Sequence, residues 1–277
     1  ISACLVGSEM CIRDSTYAGG VGTDLRSTER LDYSNDSETS SPKGNLLSST
    51  TLAGSTSNLN YGWVGGNKSA GGYTSTSPSN VPGNTVVQRI DFANDTATAS
   101  PRGPLNYSKF ALAATGNLDY GWFTGGRNNS YTSAMQFVDR IDYASDTTTA
   151  SQKGSLSGSK SYHSAAGNAS YGWNIGGFTN MPSGWTNPIN RVDYANDTAQ
   201  AVPATSPATN SPYTFGAATT GTKHFSYTEG SLIGAGPGQD QSNVYRYDYA
   251  NDTSGLYPAS QFSPSSYGEM HSMSATS

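Results

Sequence analysis

Charge is scarce in this chain. Only 13% of its 277 residues carry it and the formal balance is −5, so the basic surface that nucleic acid or an anionic membrane would require is missing. Long hydrophobic runs are missing too. None approaches the ~20 apolar residues of a membrane-spanning helix, which excludes such a span. Cysteine is confined to Cys4 and Cys11, and histidine to His163, His224 and His271. The cysteines form no C-x-x-C pair, zinc needs more ligands than they supply, and the histidines share no metal spacing. Nor is there a Gly-x-Ser-x-Gly elbow, a phosphate loop or a dinucleotide fingerprint. The expectation is a non-enzyme with no cofactor and no metal.

What the chain has is glycine (32 residues), tyrosine (18) and much Ser, Thr and Asn, without the Leu, Glu, Lys and Ala runs that favour helices. Such a composition suits short strands joined by polar turns. Disorder would share the low charge, but here the aromatics recur at fixed places. One landmark is Arg-x-Asp-aromatic: Arg30 to Tyr33, Arg89 to Phe92, Arg140 to Tyr143, Arg191 to Tyr194 and Arg246 to Tyr249, the arginines lying 59, 51, 51 and 55 residues apart. An Asn-Asp-Thr-like triplet follows each, at Asn35, Asn94, Ser145, Asn196 and Asn251. A second landmark is Tyr-Gly-Trp closed by Gly-Gly, carrying Trp63, Trp122 and Trp173. The next copy has Tyr227 in the tryptophan's place. Five copies of one unit are present, and repeats of this length point to stacked modules.

Each unit divides into four strand-sized pieces. In the third unit these are Lys109–Thr115, Tyr120–Thr124, Phe137–Tyr143 and Thr147–Ser151. The turns between them hold Asn, Asp and Gly, the residues that tight hairpins demand. The unit therefore reads as a four-stranded antiparallel meander. In its third strand Phe137, Asp139, Ile141 and Tyr143 share one face, and Val138, Arg140 and Asp142 the other. Neither face is purely polar, so the sheets are expected to be covered on both sides, as they are when small sheets are arrayed radially.

The Gly-Gly closing the second strand, the alternating third strand with its late Asp-Tyr, and the turn into a fourth strand resemble the Kelch-type β-propeller repeat over nearly all of residues 16–277. The resemblance implies an all-β fold of about five four-stranded blades. One place departs from it: the tryptophan usual just after the turn is replaced by Thr, Ala or Ser, and the aromatic stands in the second strand instead. The wording of the repeats is also similar to tandem repeats of marine phage virion and tail-fibre proteins.

Residues 1–15 have no counterpart in any unit. Leu5 to Ser15, LVGSEMCIRDS, resemble the translation of a transposase sequencing adapter. The organisation expected is residues 1–15 as adapter-derived, followed by Kelch-like repeats over 16–277. Unit boundaries fall around 16–47, 48–104, 105–155, 156–207 and 208–260, with a partial unit at 261–277. The first unit lacks its first strand, and the last segment resembles a lone first strand. That fits a fragment of a longer array, or a five-bladed ring completed by the C-terminal strand.

The chemistry-bearing residues divide into two sets. Arg30 and Asp32, Arg89 and Asp91, Arg140 and Asp142, Arg191 and Asp193, and Arg246 and Asp248 stand two apart on one strand face. Their recurrence is expected to reflect a structural network between units rather than an anion site, and Trp63, Trp122, Trp173 and Tyr227 are expected to be core. The Asp-Asn-Asp groups lack the oxygen count and the glycine of a calcium loop, and turn formation explains them. The triplets that begin with Asn match the N-glycosylation pattern, but the turn requires these residues in any case. The loops after the second strands, spanning 67–84, 127–135, 178–189 and 234–243, vary most. They carry Tyr73, Asn128, Asn129, Tyr131, Phe178, Asn180, Trp185 and Asn187, aromatics beside amides that suit a sugar. Loops this rich in Gly, Ser and Asn also drift without any function. The functional expectation is a virion or extracellular tail-fibre or adhesin component that binds a host-surface glycan or protein beside other virion proteins. A bacterial surface adhesin is the alternative, followed by a propeller enzyme whose site lies in a missing part.

Overall fold

A computed structural model describes residues 14–18, 26–32, 39–50, 52–67, 83–128, 133–177, 179, 189–204, 214–221, 224–232, 243–251 and 257–261. These residues are all-β apart from single 3-10 turns. Five antiparallel sheets follow one another along the chain. The first holds β1 (Asp14–Ala18), β2 (Thr28–Asp32) and β3 (Ser41–Pro42). The second holds β4 (Gly54–Ser57), β5 (Tyr61–Gly65), β6 (Val87–Asp91) and β7 (Ser100–Arg102). The third holds β8 (Ala113–Gly116), β9 (Tyr120–Thr124), β10 (Met135–Asp142) and β11 (Ser151–Lys160). The fourth holds β12 (Ser164–Gly167), β13 (Tyr171–Ile175), β14 (Asn190–Asp193) and β15 (Val202–Pro203). The fifth holds β16 (Thr214–Gly221), β17 (Phe225–Leu232), β18 (Asn243–Asp248) and β19 (Tyr257–Gln261). Within each sheet the strands pair in sequence order. No helix among the described residues is long and apolar enough to cross a membrane.

Local chemistry accounts for the turns. Between first and second strands, Asn58, Asn117 and Asn168 each accept two backbone N–H groups through Oδ1; for Asn117 the donors are Asp119 and Tyr120, both at 2.9 Å. A side-chain amide mimics a backbone turn in this way. The third-to-fourth connection departs from the sequence expectation. Asp91, Asp142 and Asp193 each accept the amide of the residue two further on, at 2.9–3.0 Å. That bond draws the chain into a 3-10 turn over Phe92–Asn94, Tyr143–Ser145 and Tyr194–Asn196. The fourth strand of the third sheet therefore starts at Ser151, not Thr147, and runs past the expected unit boundary to Lys160. Its first strand starts at Ala113, not Lys109, because Ala111 lies in the left-handed region at φ 53°.

The first strands of successive sheets lie against one another, β4 on β8, β8 on β12 and β12 on β16. The core is a row of layers between sheets rather than one mass. Trp63 and Val87 of the second unit pack with Leu105, Phe123, Ile141 and Tyr143 of the third. Trp122, Val138 and Leu156 meet Val192, Tyr194 and Ala201 in the same manner. Trp173 and Ile175 meet Tyr247 and Tyr249. Both faces of a central sheet are thus buried, which explains why neither face of its third strand is polar.

Candidate functional site

The landmarks converge on one inter-sheet lock, repeated along the chain. Strand register sets Trp63 beside Arg89, Trp122 beside Arg140, Trp173 beside Arg191 and Tyr227 beside Arg246. Each tryptophan is buried. Each stacks nearly parallel, at 3.9 Å between ring centroids, on the tyrosine of the next unit: Trp63 on Tyr143, Trp122 on Tyr194, Trp173 on Tyr249. Trp63 Nε1 donates to Asp146 Oδ2 at 2.9 Å and Trp122 Nε1 to Asp197 Oδ2 at 2.9 Å. The same carboxylates receive Arg89 Nη1 at 3.0 Å and Arg140 Nη1 at 2.9 Å. A second cation reaches each from the fourth strand: Arg102 Nε lies 2.9 Å from Asp146 Oδ2 and Lys153 Nζ 3.5 Å from Asp197 Oδ1. Between the first and second units, Arg30 and Lys43 hold Asp95 at 2.6 and 3.6 Å.

Arg30, Arg89 and Arg140 therefore meet the triplet aspartate of the next unit, not the aspartate two residues along their own strand. Asp91, Asp142, Asp193 and Asp248 instead cap the 3-10 turns. Asp32 closes β2, opposite Asp14. Arginines also lie over the ring that opens the neighbouring strand: Arg89 over Tyr61 at 4.1 Å, Arg140 over Tyr120 at 4.2 Å, Arg191 over Tyr171 and Arg246 over Phe225 at 4.9 Å. The glycine of Tyr-Gly-Trp is required by close approach. A Cβ on Gly121 would lie 2.6 Å from Thr56 Cγ2 and 2.8 Å from the Tyr143 hydroxyl.

Of the loop residues expected to bind, only Asn128 falls within the described residues, exposed just beyond β9. Tyr73, Asn129, Tyr131, Phe178, Asn180, Trp185 and Asn187 lie outside them. The loop ends are not displayed but anchored. Arg127 is fully buried and donates from Nε to Ser161 Oγ at 2.8 Å. Asn67 is buried, donates to Ser49 O at 3.3 Å and meets the Asn84 amide.

At the same end of the sheets, the junction of the third and fourth units holds a buried polar cluster that the landmarks do not reveal. The second-to-third junction has the apolar pair Leu112 and Phe123. One unit on, the same frame positions are His163 and Asn174. Thr124 Oγ1 lies 3.2 Å from His163 Nε2 and against Asn174 Oδ1. A neutral imidazole protonated on Nε2 donates to the hydroxyl, which then donates to the amide oxygen. Burial, reinforced by Lys160 and Lys109, pushes the His163 imidazole down to about 3. Lys160 is buried and donates to Gly176 O at 3.2 Å, and burial lowers its ammonium to about 7. Lys109 contacts Asp139 at 3.1 Å with both side chains 0% exposed, and desolvation lowers it against the opposing pull of Asp139. A neutral amine and imidazole are the usual materials of acid–base chemistry. Here Lys109, Asp139, Lys160 and His163 are all buried.

Connecting the units at this end are three non-glycine residues of left-handed backbone, Leu52, Ala111 and Tyr162, with φ between 53° and 56°. Ala111 N donates to Leu52 O at 2.7 Å and Tyr162 N to Ala111 O at 2.8 Å. Each such conformation costs about 1–3 kcal/mol, which the unit-to-unit hydrogen bonds help offset. Compared with known proteins, the chain matches no family model and no curated sequence.

Proposed function

We propose that the sheets are blades of a Kelch-like β-propeller and that the chain is a non-enzymatic binding scaffold of a virion, a tail-fibre or adhesin component facing the extracellular medium. The observation that carries this reading is a contrast between parts of the unit. The lock of Trp, Tyr, Arg and Asp repeats from junction to junction, whereas the loops after the second strands differ in length and sequence from unit to unit. A scaffold held constant beneath variable loops is where binding is usually built. The buried anchors Asn67 and Arg127 hold loop ends in place. The loop aromatics and amides suit a host-surface glycan, or a protein bearing one.

A glycan array probed with the chain, beside adsorption assays on particles with the loops after β5, β9 and β13 shortened, tests the reading. Binding to a sugar class that is lost on shortening is expected. No binding and unaltered adsorption would leave a structural spacer. Neighbouring genes for capsid and tail proteins separate the virion reading from a bacterial surface adhesin.

A further inference from the structure

The Lys109–Asp139 contact is unlike the lock, and it occurs in one unit alone among the described residues. At the corresponding frame positions the second unit has Thr50 and Gln88, and Gln88 Nε2 donates to Thr50 Oγ1 at 3.2 Å. The fourth has Lys160 and Asn190, but Asn190 Oδ1 is occupied by Ser157 N at 2.7 Å and Ser157 Oγ at 2.5 Å. In the third unit a lysine meets a carboxylate. Neither Asp139 oxygen accepts an aligned hydrogen bond among the described residues. Lys109 Nζ lies 3.1 Å from Oδ2. Buried carboxylates ordinarily collect several donors. Across the β9–β10 pairing Asp139 faces Phe123, whose ring is fully buried, so the pair sits in a dry setting.

Two full charges are costly there. Passing one proton from the ammonium to the carboxylate removes both, leaving an amine against a carboxylic acid. Burial already favours the neutral form of Lys109. We propose that Lys109 and Asp139 condense in the folded chain to an amide, a covalent cross-link between the entry to β8 and strand β10.

In the condensation the Nζ lone pair attacks Cγ and forms the Nζ–Cγ bond. The bond from Cγ to the protonated oxygen breaks, and that hydroxyl leaves with a proton from Nζ as one water. The other carboxyl oxygen becomes the amide carbonyl. One Nζ–H remains, and Lys109 Nζ already donates to Phe123 O at 2.9 Å, so the product keeps that hydrogen bond. No oxidation state changes and no co-reactant is consumed. Amide formation is unfavourable between free groups in water. Two groups held in contact react at an effective concentration of ~10⁵ M or more, and expelling the water from a fully buried site opposes hydrolysis.

Intact-mass spectrometry of the full chain, followed by peptide mapping, tests this. The wild-type chain is expected one water lighter than its sequence, with a digest peptide joining the Lys109 and Asp139 segments. Lys109→Met and Asp139→Ala are each expected at full sequence mass and without the joined peptide. Lys109 and Asp139 recovered in separate peptides, at whatever intact mass, overturn the proposal and leave an ordinary buried ion pair. The wild-type map decides by itself, even if a variant does not fold.

Discussion

At the scale of single residues, burial holds the proton affinities of Lys160 and His163 well below their ordinary values, in a junction that also holds Lys109, Asp139 and Arg127. Unfolded, Lys160 keeps its proton to about 10.5; folded, only to about 7. Below pH 7 both states are protonated and the cost of burying the ammonium is carried in full. Between about 7 and 10.5 only the unfolded state is protonated, and stability climbs with pH. His163 is neutral in both states above about 6.5. As the pH falls toward about 3 the unfolded chain takes up the proton and the folded chain does not, so stability drops across that interval. Urea midpoints measured from acid to alkaline pH are expected to rise at both limbs. Lys160→Met should flatten the alkaline climb and stabilise the chain at neutral pH. A variant that keeps the climb would show another group to be responsible.

At the scale of elements, the decisive contact is the second strand of one sheet against the 3-10 turn of the next. Trp122 illustrates it: fully buried, stacked on Tyr194 and bonded to Asp197. Trp122→Ala should cost about 3–5 kcal/mol by denaturant unfolding. Trp122→Phe keeps a ring on Tyr194 but removes the indole donor, and should cost less, about 1–3 kcal/mol. Equal losses in the two variants would mean that the stack contributes little. The tryptophans, the arginines and the turn aspartates were all legible as recurring letters, and so was the strand order. The pairing of Arg140 with Asp197 was not, because the nearer aspartate, Asp142, is the obvious partner in one dimension. Only the approach of the next sheet shows Asp142 committed to the Ala144 amide.

At the scale of the whole molecule, each described lock joins one unit to the next along the chain, so stability should behave as a sum of units and nearest-neighbour couplings. Asp197 receives Trp122, Arg140 and Lys153 at one junction. Asp197→Asn should cost about 1–3 kcal/mol, below the loss from breaking a fully buried pair, because Arg140 and Lys153 are partly exposed. It should also divide or broaden the calorimetric transition, as the units on either side of that junction uncouple. A transition that shifts but stays sharp would mean that cooperativity is carried by the packed first strands instead.

The sequence by itself determined the unit, its four strands, its turn residues and the burial of its aromatics. Each of these follows from local periodicity or from what a single residue type does to the backbone near it. The tertiary structure decided what meets across units. Leu52, Ala111 and Tyr162 carry no letter that favours left-handed backbone, and they are held there by hydrogen bonds from neighbouring units. His163 and Asn174 read as ordinary polar residues until the frame sets them where Leu112 and Phe123 stand one unit earlier. Lys109 and Asp139, thirty residues apart in the chain, look solvent-exposed in a line of letters. Folding β9 between them brings amine and carboxyl into contact away from water, where their charges are costly and their chemistry changes.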